Sequence, residues 1–216
     1  MLVIGDLHQP YTLRGYRKFC KSVYKEYGCT DVMFTGDIID NHYTSFHDSD
    51  PDGHSAGLEL EMAISNIGKW HKTFPNAKVC IGNHDRLPDR KAFKAGVSRI
   101  WIRDIGEVLD TPGWIYRESF IIDNVKYCHG EVRKAHTRAA HDLISIVQGH
   151  WHTDSRIDYH DGETSRIWSM QVGCGFDHRF FAADYCKHGK SPSHNCGVVL
   201  DNGREPHLIP YYLPET

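Results

Sequence analysis

Leu2-Val3-Ile4-Gly5-Asp6-Leu7-His8 opens the chain with an apolar run that halts at a glycine and then delivers an Asp and a His. The pattern recurs. Val32-Met33-Phe34 leads to Gly36-Asp37, and Val79-Cys80-Ile81 leads to Gly82-Asn83-His84-Asp85. Val125-Lys126-Tyr127-Cys128 leads to His129-Gly130, and Ile144-Ser145-Ile146-Val147 to Gly149-His150-Trp151-His152. Short apolar runs rich in β-branched residues read as buried strands. A glycine just past such a strand allows a sharp turn, so polar side chains gather at the carboxyl end, where ligand sites of open α/β sheets lie. Asp, Asn and His converging there are oxygen and imidazole donors, the set expected for divalent metal ions.

The order of these clusters resembles the calcineurin-like metallophosphoesterase superfamily, whose signature runs D-x-H, G-D-x-x-D, G-N-H-[ED], a lone H, then G-H-x-H. All of these elements occur here in that order between Asp6 and His152. One such element is weak, because D-x-H or G-D arises by chance; the ordered set, each on a strand end, is specific. The resemblance implies an α/β fold, a four-layer α/β/β/α sandwich of two mixed β-sheets flanked by helices. It also implies a first metal held by Asp6, His8, Asp37 and His152, and a second held by Asp37, Asn83, His129 and His150. Asp37 is then the bridge, since a carboxylate can offer one oxygen to each ion, and bridged ions of this kind stand roughly 3.5–4 Å apart. The implied activity is hydrolysis of phosphodiester bonds by a metal-bridging hydroxide, with small or cyclic nucleotides as candidate substrates. Phosphomonoesterase and nuclease activities of the same superfamily are the alternatives. No thiolate is in the set, so Mn, Fe, Ni, Co and Zn all suit it.

His84, beside Asn83, is expected to face substrate and donate a proton to the leaving oxygen or stabilise the transition state. Asp85 next to it is expected to hold the ring's tautomer, as carboxylates behind catalytic histidines do. His42 and Arg86 are candidate substrate contacts, each close in sequence to a motif. Two departures bear on specificity. The protein Ser/Thr phosphatase branch follows G-D-x-x-D with a phosphate-gripping Arg and ends its next motif in Glu; here Asp40 is followed by Asn41-His42, and Asp85 stands in place of that Glu. Both favour phosphodiesterase-like members. Asp40 itself is either a hydrogen-bond acceptor behind the site or the start of a loop.

The composition excludes several classes. With 216 residues, 40% hydrophobic and 25% charged, the chain reads as one globular domain over 1–216. A net charge of −3 gives no global pull toward nucleic acid, and the DNA-repair branch adds a capping domain for which the chain has no room. A metal-free scaffold is disfavoured by the complete ligand set. No apolar run approaches bilayer length and no signal peptide is read, so a cytoplasmic location is expected, with the seven cysteines as free thiols. Cys80 and Cys128, inside apolar strands, are expected in the core.

Helical spacing runs over Leu13 to Tyr27 and Leu58 to Trp70, with further helices near Asp89 to Ala95 and Glu131 to Asp142. Hairpins are expected over Ser119 to Cys128, Arg156 to Val172 and Val198 to Tyr212, turning at Asp123-Asn124, Asp161-Gly162 and Asn202-Gly203. His42 to Ala56 reads as a polar loop beside the site; its His47, His54, Asp48, Asp50 and Asp52 suit solvent better than a third metal. The basic stretch Arg86, Arg90, Lys91, Lys94, Arg99 and Arg103 follows the third motif. Cys174, His178, Cys186, His188, His194 and Cys196 hold the inventory of a zinc site, but their spacing matches no compact finger. An ordinary loop is the expectation there, with Phe176, Phe180 and Phe181 packing on the sheet or walling the cleft. Trp151 is expected to point into the core, away from its flanking histidines.

Overall fold

The computed structural model describes residues 1–46, 50, 52–182 and 191–213. The first half alternates strand and helix: β1 (Leu2–Ile4), α1 (Tyr16–Glu26), β2 (Val32–Phe34), α2 (Ala56–Thr73) and β3 (Ala77–Cys80). Then come α3 (Leu87–Lys94), α4 (Ile105–Val108), β4 (Trp114–Arg117), β5 (Ser119–Ile122), β6 (Val125–Cys128), α5 (Ala135–Asp142) and β7 (Ser145–Gln148). The chain closes with β8 (Arg156–Asp161), β9 (Arg166–Gln171), β10 (Asn195–Leu200) and β11 (Glu205–Pro210).

Two mixed sheets result. One has the order β11-β10-β1-β2-β3-β4 and the other β5-β6-β7-β9-β8. Parallel register such as Leu2↔Val32 and Met33↔Lys78 sets the motif-bearing strands of the first sheet side by side with their carboxyl ends at one edge. Val125↔Ser145 does the same for β6 and β7 in the second.

Side-chain alternation along the strands builds the layers. Leu2, Ile4, Phe34 and Val79 point to one side, where they pack with Tyr16, Cys20 and Val23 of α1 and Ala63, Ile67 and Trp70 of α2. Val3, Met33 and Cys80 point to the other side and meet Tyr127, Val147, Trp168 and Met170 of the second sheet. Behind that sheet, Ala139 of α5 packs on Cys128 and Ile146. This is the four-layer α/β/β/α arrangement, and it explains why β1, β2 and β7 are buried on both faces. Among the described residues, no helix is long and apolar enough to cross a membrane.

All three expected hairpins form, β5–β6, β8–β9 and β10–β11. The expected helices are present with shifted ends. α3 starts at Leu87 because Pro88 suits a first turn, and α5 spans only Ala135–Asp142, stopped where Leu143 turns left-handed at φ 53°. α4 and β4 have no counterpart in the sequence expectation. Trp-Ile-Tyr-Arg is too short to show a period, and its strand character comes from pairing with β3, Ala77↔Trp114.

Candidate metal centre

The site lies where the turns after β1, β2, β3, β6 and β7 meet. Leu7 and His8 donate their backbone N–H groups to the Asp37 carbonyl at 3.0 and 2.9 Å, which ties the first two turns together. His8, Asp37 and His150 hold left-handed backbone at φ 48°, 46° and 71°. Non-glycine residues rarely occupy that region, and where they do the surroundings must impose it. Space is tight as well: a Cβ at Gly82 would collide with Asp37 Oδ1, and one at Gly149 with Asp6 Oδ1.

Two groups of side chains converge. In the first, Asp6 Oδ2 lies 3.0 Å from His152 Nε2, and His152 Nε2 lies 3.3 Å from His8 Nε2. In the second, His129 Nε2 faces Asn83 Oδ1 at 2.9 Å and His150 Nδ1 at 3.1 Å. Asp37 Oδ2 stands between them, 3.8 Å from His8 Nε2 and 3.1 Å from His129 Nε2. The other Asp37 oxygen, Oδ1, accepts from the His84 backbone N–H at 2.8 Å. A single oxygen therefore faces both groups, where the sequence suggested one oxygen for each.

The donor chemistry fits cations. His129 Nδ1 lies 3.0 Å from the Thr35 carbonyl, which can only accept, so that nitrogen carries a proton. In the neutral ring Nε2 is then a lone pair, and it confronts an amide oxygen and a carboxylate oxygen with no proton to share. Positive charge must enter this point. Without a metal it enters as a proton: burial opposes a charged ring, but Asp37 and Asp6 outweigh burial and lift the His129 pKa to about 10. His8 repeats the geometry. Its Nδ1 donates to Asp40 Oδ1 at 2.5 Å and burial holds the ring neutral, leaving Nε2 as a lone pair toward the first group. Asp6, His8 and His152, and likewise Asp37, His129 and His150, offer donor atoms close enough together to hold an ion.

His84 sits at the mouth. Its Nδ1 donates to the Asp40 carbonyl at 2.6 Å, and its side chain is 14% exposed. Its other ring nitrogen has no hydrogen-bond partner among the described residues. Burial disfavours the charged ring, yet the Asp37 and Asp40 carboxylates raise its pKa above the ordinary value. Asp85 does something other than expected. Its oxygens accept from the backbone N–H groups of Ile38, Ile39 and Gly82 at 3.0, 3.3 and 2.8 Å, so it clamps two turns together rather than holding the His84 ring. Asp40 takes that place through its backbone carbonyl.

Among the described residues, neither expected substrate contact hydrogen-bonds a side chain of the two groups. Arg86 is engaged by the Ile81 carbonyl and by Glu118 and Glu131 at 2.9 and 3.1 Å. His42 is buried against Phe181, with its backbone N–H on Glu59. Trp151 is half-buried under Lys134 rather than in the core. Cys80 and Cys128 are core residues as expected. His47, Asp48, Cys186 and His188 lie outside the described residues. Phe176, expected to pack on the sheet or wall the cleft, stacks on His8 with centroids 4.5 Å apart, and His178, read in the sequence as part of an ordinary loop, has Nε2 3.2 Å from His152 Nδ1. Burial holds the His178 ring neutral, its pKa pushed down to about 3.

No curated protein matches the chain. Among solved structures, the chain is similar in fold to the E. coli phosphoesterase Yfce, at 13% identity and a TM-score of 0.44, covering 96% of this chain and 98% of that one. It is similar also to the Pseudomonas putida nuclease MPE (11% identity, TM-score 0.42, 97% and 85% covered). Chaetomium thermophilum Vps29 is a third such structure (12% identity, TM-score 0.42, 100% and 96% covered). In sequence, the model of the calcineurin-like phosphoesterase family matches residues 1–182. That span contains every side chain of the two groups, and the chain belongs to the calcineurin-like phosphoesterase family.

Proposed function

We propose that the protein is a dinuclear metal-dependent phosphodiesterase. Asp6, His8, Asp37 and His152 would hold one divalent ion; Asp37, Asn83, His129 and His150 would hold the second. The observation that carries this reading is the meeting of lone pairs around Asp37 Oδ2, where His8 Nε2 and His129 Nε2 flank one carboxylate oxygen at 3.8 and 3.1 Å. When bound, such a pair supplies the charge that attracts a phosphoryl group and acidifies a water for attack on phosphorus. The nitrogen and oxygen donors suit Mn, Fe, Co, Ni or Zn.

The chain's own residues supply the remainder. Asp40 and the Thr35 carbonyl fix the tautomers of His8 and His129 so that each presents Nε2. His84, anchored at Nδ1 and open at its other nitrogen, is placed to give a proton to the departing oxygen. The diester preference rests on charge. Among the described residues, no Lys or Arg contacts the cluster, and Arg86, the nearest in sequence, is held by Glu118 and Glu131. Asn41 donates to the His84 carbonyl at 2.9 Å and does not replace a phosphate-gripping Arg. A monoester dianion requires more cationic contacts than a diester monoanion. A small phosphodiester, with a nucleotide diester as one candidate, is the substrate class this charge balance favours.

The test is a matched pair of chromogenic substrates, a phosphodiester and its monoester, assayed with Mn(II). The diester should be hydrolysed with the higher kcat/KM. Strong preference for the monoester makes the protein a phosphomonoesterase instead.

A further inference from the structure

The segment after β9 carries chemistry that the proposed reaction has not used. His178 Nδ1 lies 3.1 Å from the Phe176 carbonyl. A carbonyl only accepts, so Nδ1 holds the proton, and Nε2 of the neutral ring is a lone pair. That lone pair lies 3.2 Å from His152 Nδ1, which must therefore be the donor. With its proton on Nδ1, His152 has a lone pair on Nε2, the atom that faces Asp6 Oδ2 at 3.0 Å and His8 Nε2 at 3.3 Å. We infer that His178 is a positioning residue that locks His152 into its ligating tautomer, and that it supports the Asp6–His8–His152 half of the centre selectively. This inference rests on the two-ion reading.

The selectivity follows from where the segment sits. Phe176 is fully buried and stacks on His8 at 4.5 Å with ring planes 26° apart, so residues 176–178 touch both imidazoles of one half. The other half is supported differently. His129 takes its tautomer from the Thr35 carbonyl, a backbone group that a change at His178 does not reach. The two halves are thus held by independent supports, one of them a side chain.

A rival arrangement uses the same atoms. Cys174, His152 and His178 offer donor atoms within 4.8 Å of one another that could hold an ion of their own, and the ring nitrogens turned toward each other are His152 Nδ1 and His178 Nε2. That ion would need a lone pair on His152 Nδ1, while Nε2 already faces the first group. His152 would then have to lose both ring protons. A hydrogen bond between two neutral rings meets the same geometry without that cost.

The experiment is a Mn(II) titration of metal-stripped protein, read by calorimetry, by metal content after gel filtration and by electron paramagnetic resonance. Wild type should take up two ions whose spins couple. His178→Ala should keep one ion at wild-type affinity and bind the other about 10–100-fold more weakly, the usual cost of losing such a support. At limiting metal, its spectrum should be that of isolated Mn(II). His178→Gln, whose amide oxygen can accept from His152, should recover most of the lost affinity, and both variants should keep the wild-type circular dichroism spectrum. Two ions at wild-type affinity in His178→Ala would overturn the inference while leaving the two-ion reading intact. So would equal weakening of both ions, or failure of His178→Gln to recover affinity, since a merely structural role predicts those results. A third ion in wild type, lost in Cys174→Ser and His178→Ala, would establish the rival site. Wild type that takes up no ion would overturn the inference and the two-ion reading together.

Discussion

Asp40 accepts from His8 through its carboxylate at 2.5 Å, and both side chains are almost fully buried. Burial raises the Asp40 pKa to about 6, so the carboxylate sits there at an energetic cost that the nearby His84 and His42 only partly offset. The same residue anchors His84 through its carbonyl, a contact that side-chain substitution spares. Asp40→Ala should therefore weaken the ion on the His8 side about 10–100-fold and leave the His84 ring in place. Asp40→Asn, which still offers an oxygen to His8, should fall between the two. Metal titration of both variants checks this.

The role of His84 is separable from that of the ligands. His84→Ala should retain both ions and slow hydrolysis of a diester with an alkoxide leaving group by roughly 10²–10⁴-fold. A nitrophenolate leaving group needs little protonation, so its loss should be much smaller. His150→Ala should lower metal content and damage both substrates together. Equal slowing of the two leaving groups in His84→Ala, with metals retained, would make His84 an electrostatic stabiliser instead of a proton donor.

The tight turns predict an intolerant glycine. A methyl group at Gly149 would press on the side-chain atoms Asp6 Oδ1 and Thr35 Oγ1, and the Asp6 carboxylate is held in place by the His150 backbone N–H at 2.8 Å and by His152 Nε2 at 3.0 Å. Gly149→Ala should cost about 1–3 kcal/mol of stability even without metal, as overpacking does. It should also reduce metal uptake, because Asp6 is displaced. Denaturant unfolding of the metal-stripped protein gives the first quantity and metal content gives the second.

Thiols take no part in the proposed chemistry, and their burial should make them inert. Burial pushes the Cys20, Cys80 and Cys128 thiols above their ordinary pKa. Since the thiolate is the reactive form, these cysteines should resist iodoacetamide at neutral pH in the native protein and react on unfolding. Peptide mapping by mass spectrometry distinguishes the two states, and rapid native labelling of Cys80 or Cys128 would contradict their place in the core.

Much of this was legible in the sequence because it is local. A strand run, a glycine and a polar pair within a few residues specify a turn, and turns of that kind located Asp6, His8, Asp37, Asn83, His129, His150 and His152. Hairpins at Asp123-Asn124 and Asn202-Gly203 were legible for the same reason. What escaped depends on contacts between distant segments or on backbone atoms. The Thr35 carbonyl behind His129 has no residue signature. β4 exists through its pairing with β3. Asp85 lies next to His84 in sequence yet turns to the Gly82, Ile38 and Ile39 amides. Arg86 finds Glu118 and Glu131, both more than thirty positions away. His178 was visible only as part of a Cys/His tract, because its partnership with His152 spans 26 positions.

The most direct test of the account is the metal content of purified protein set beside its activity. Wild type stripped with chelator and reloaded with Mn(II) should carry two ions per chain and recover diester hydrolysis in step with loading. Asp37→Asn should weaken both ions at once, because Asp37 Oδ2 is the atom that faces both groups. Undiminished hydrolysis by rigorously metal-free protein would contradict the account, and so would an Asp37→Asn variant that binds two ions as wild type does.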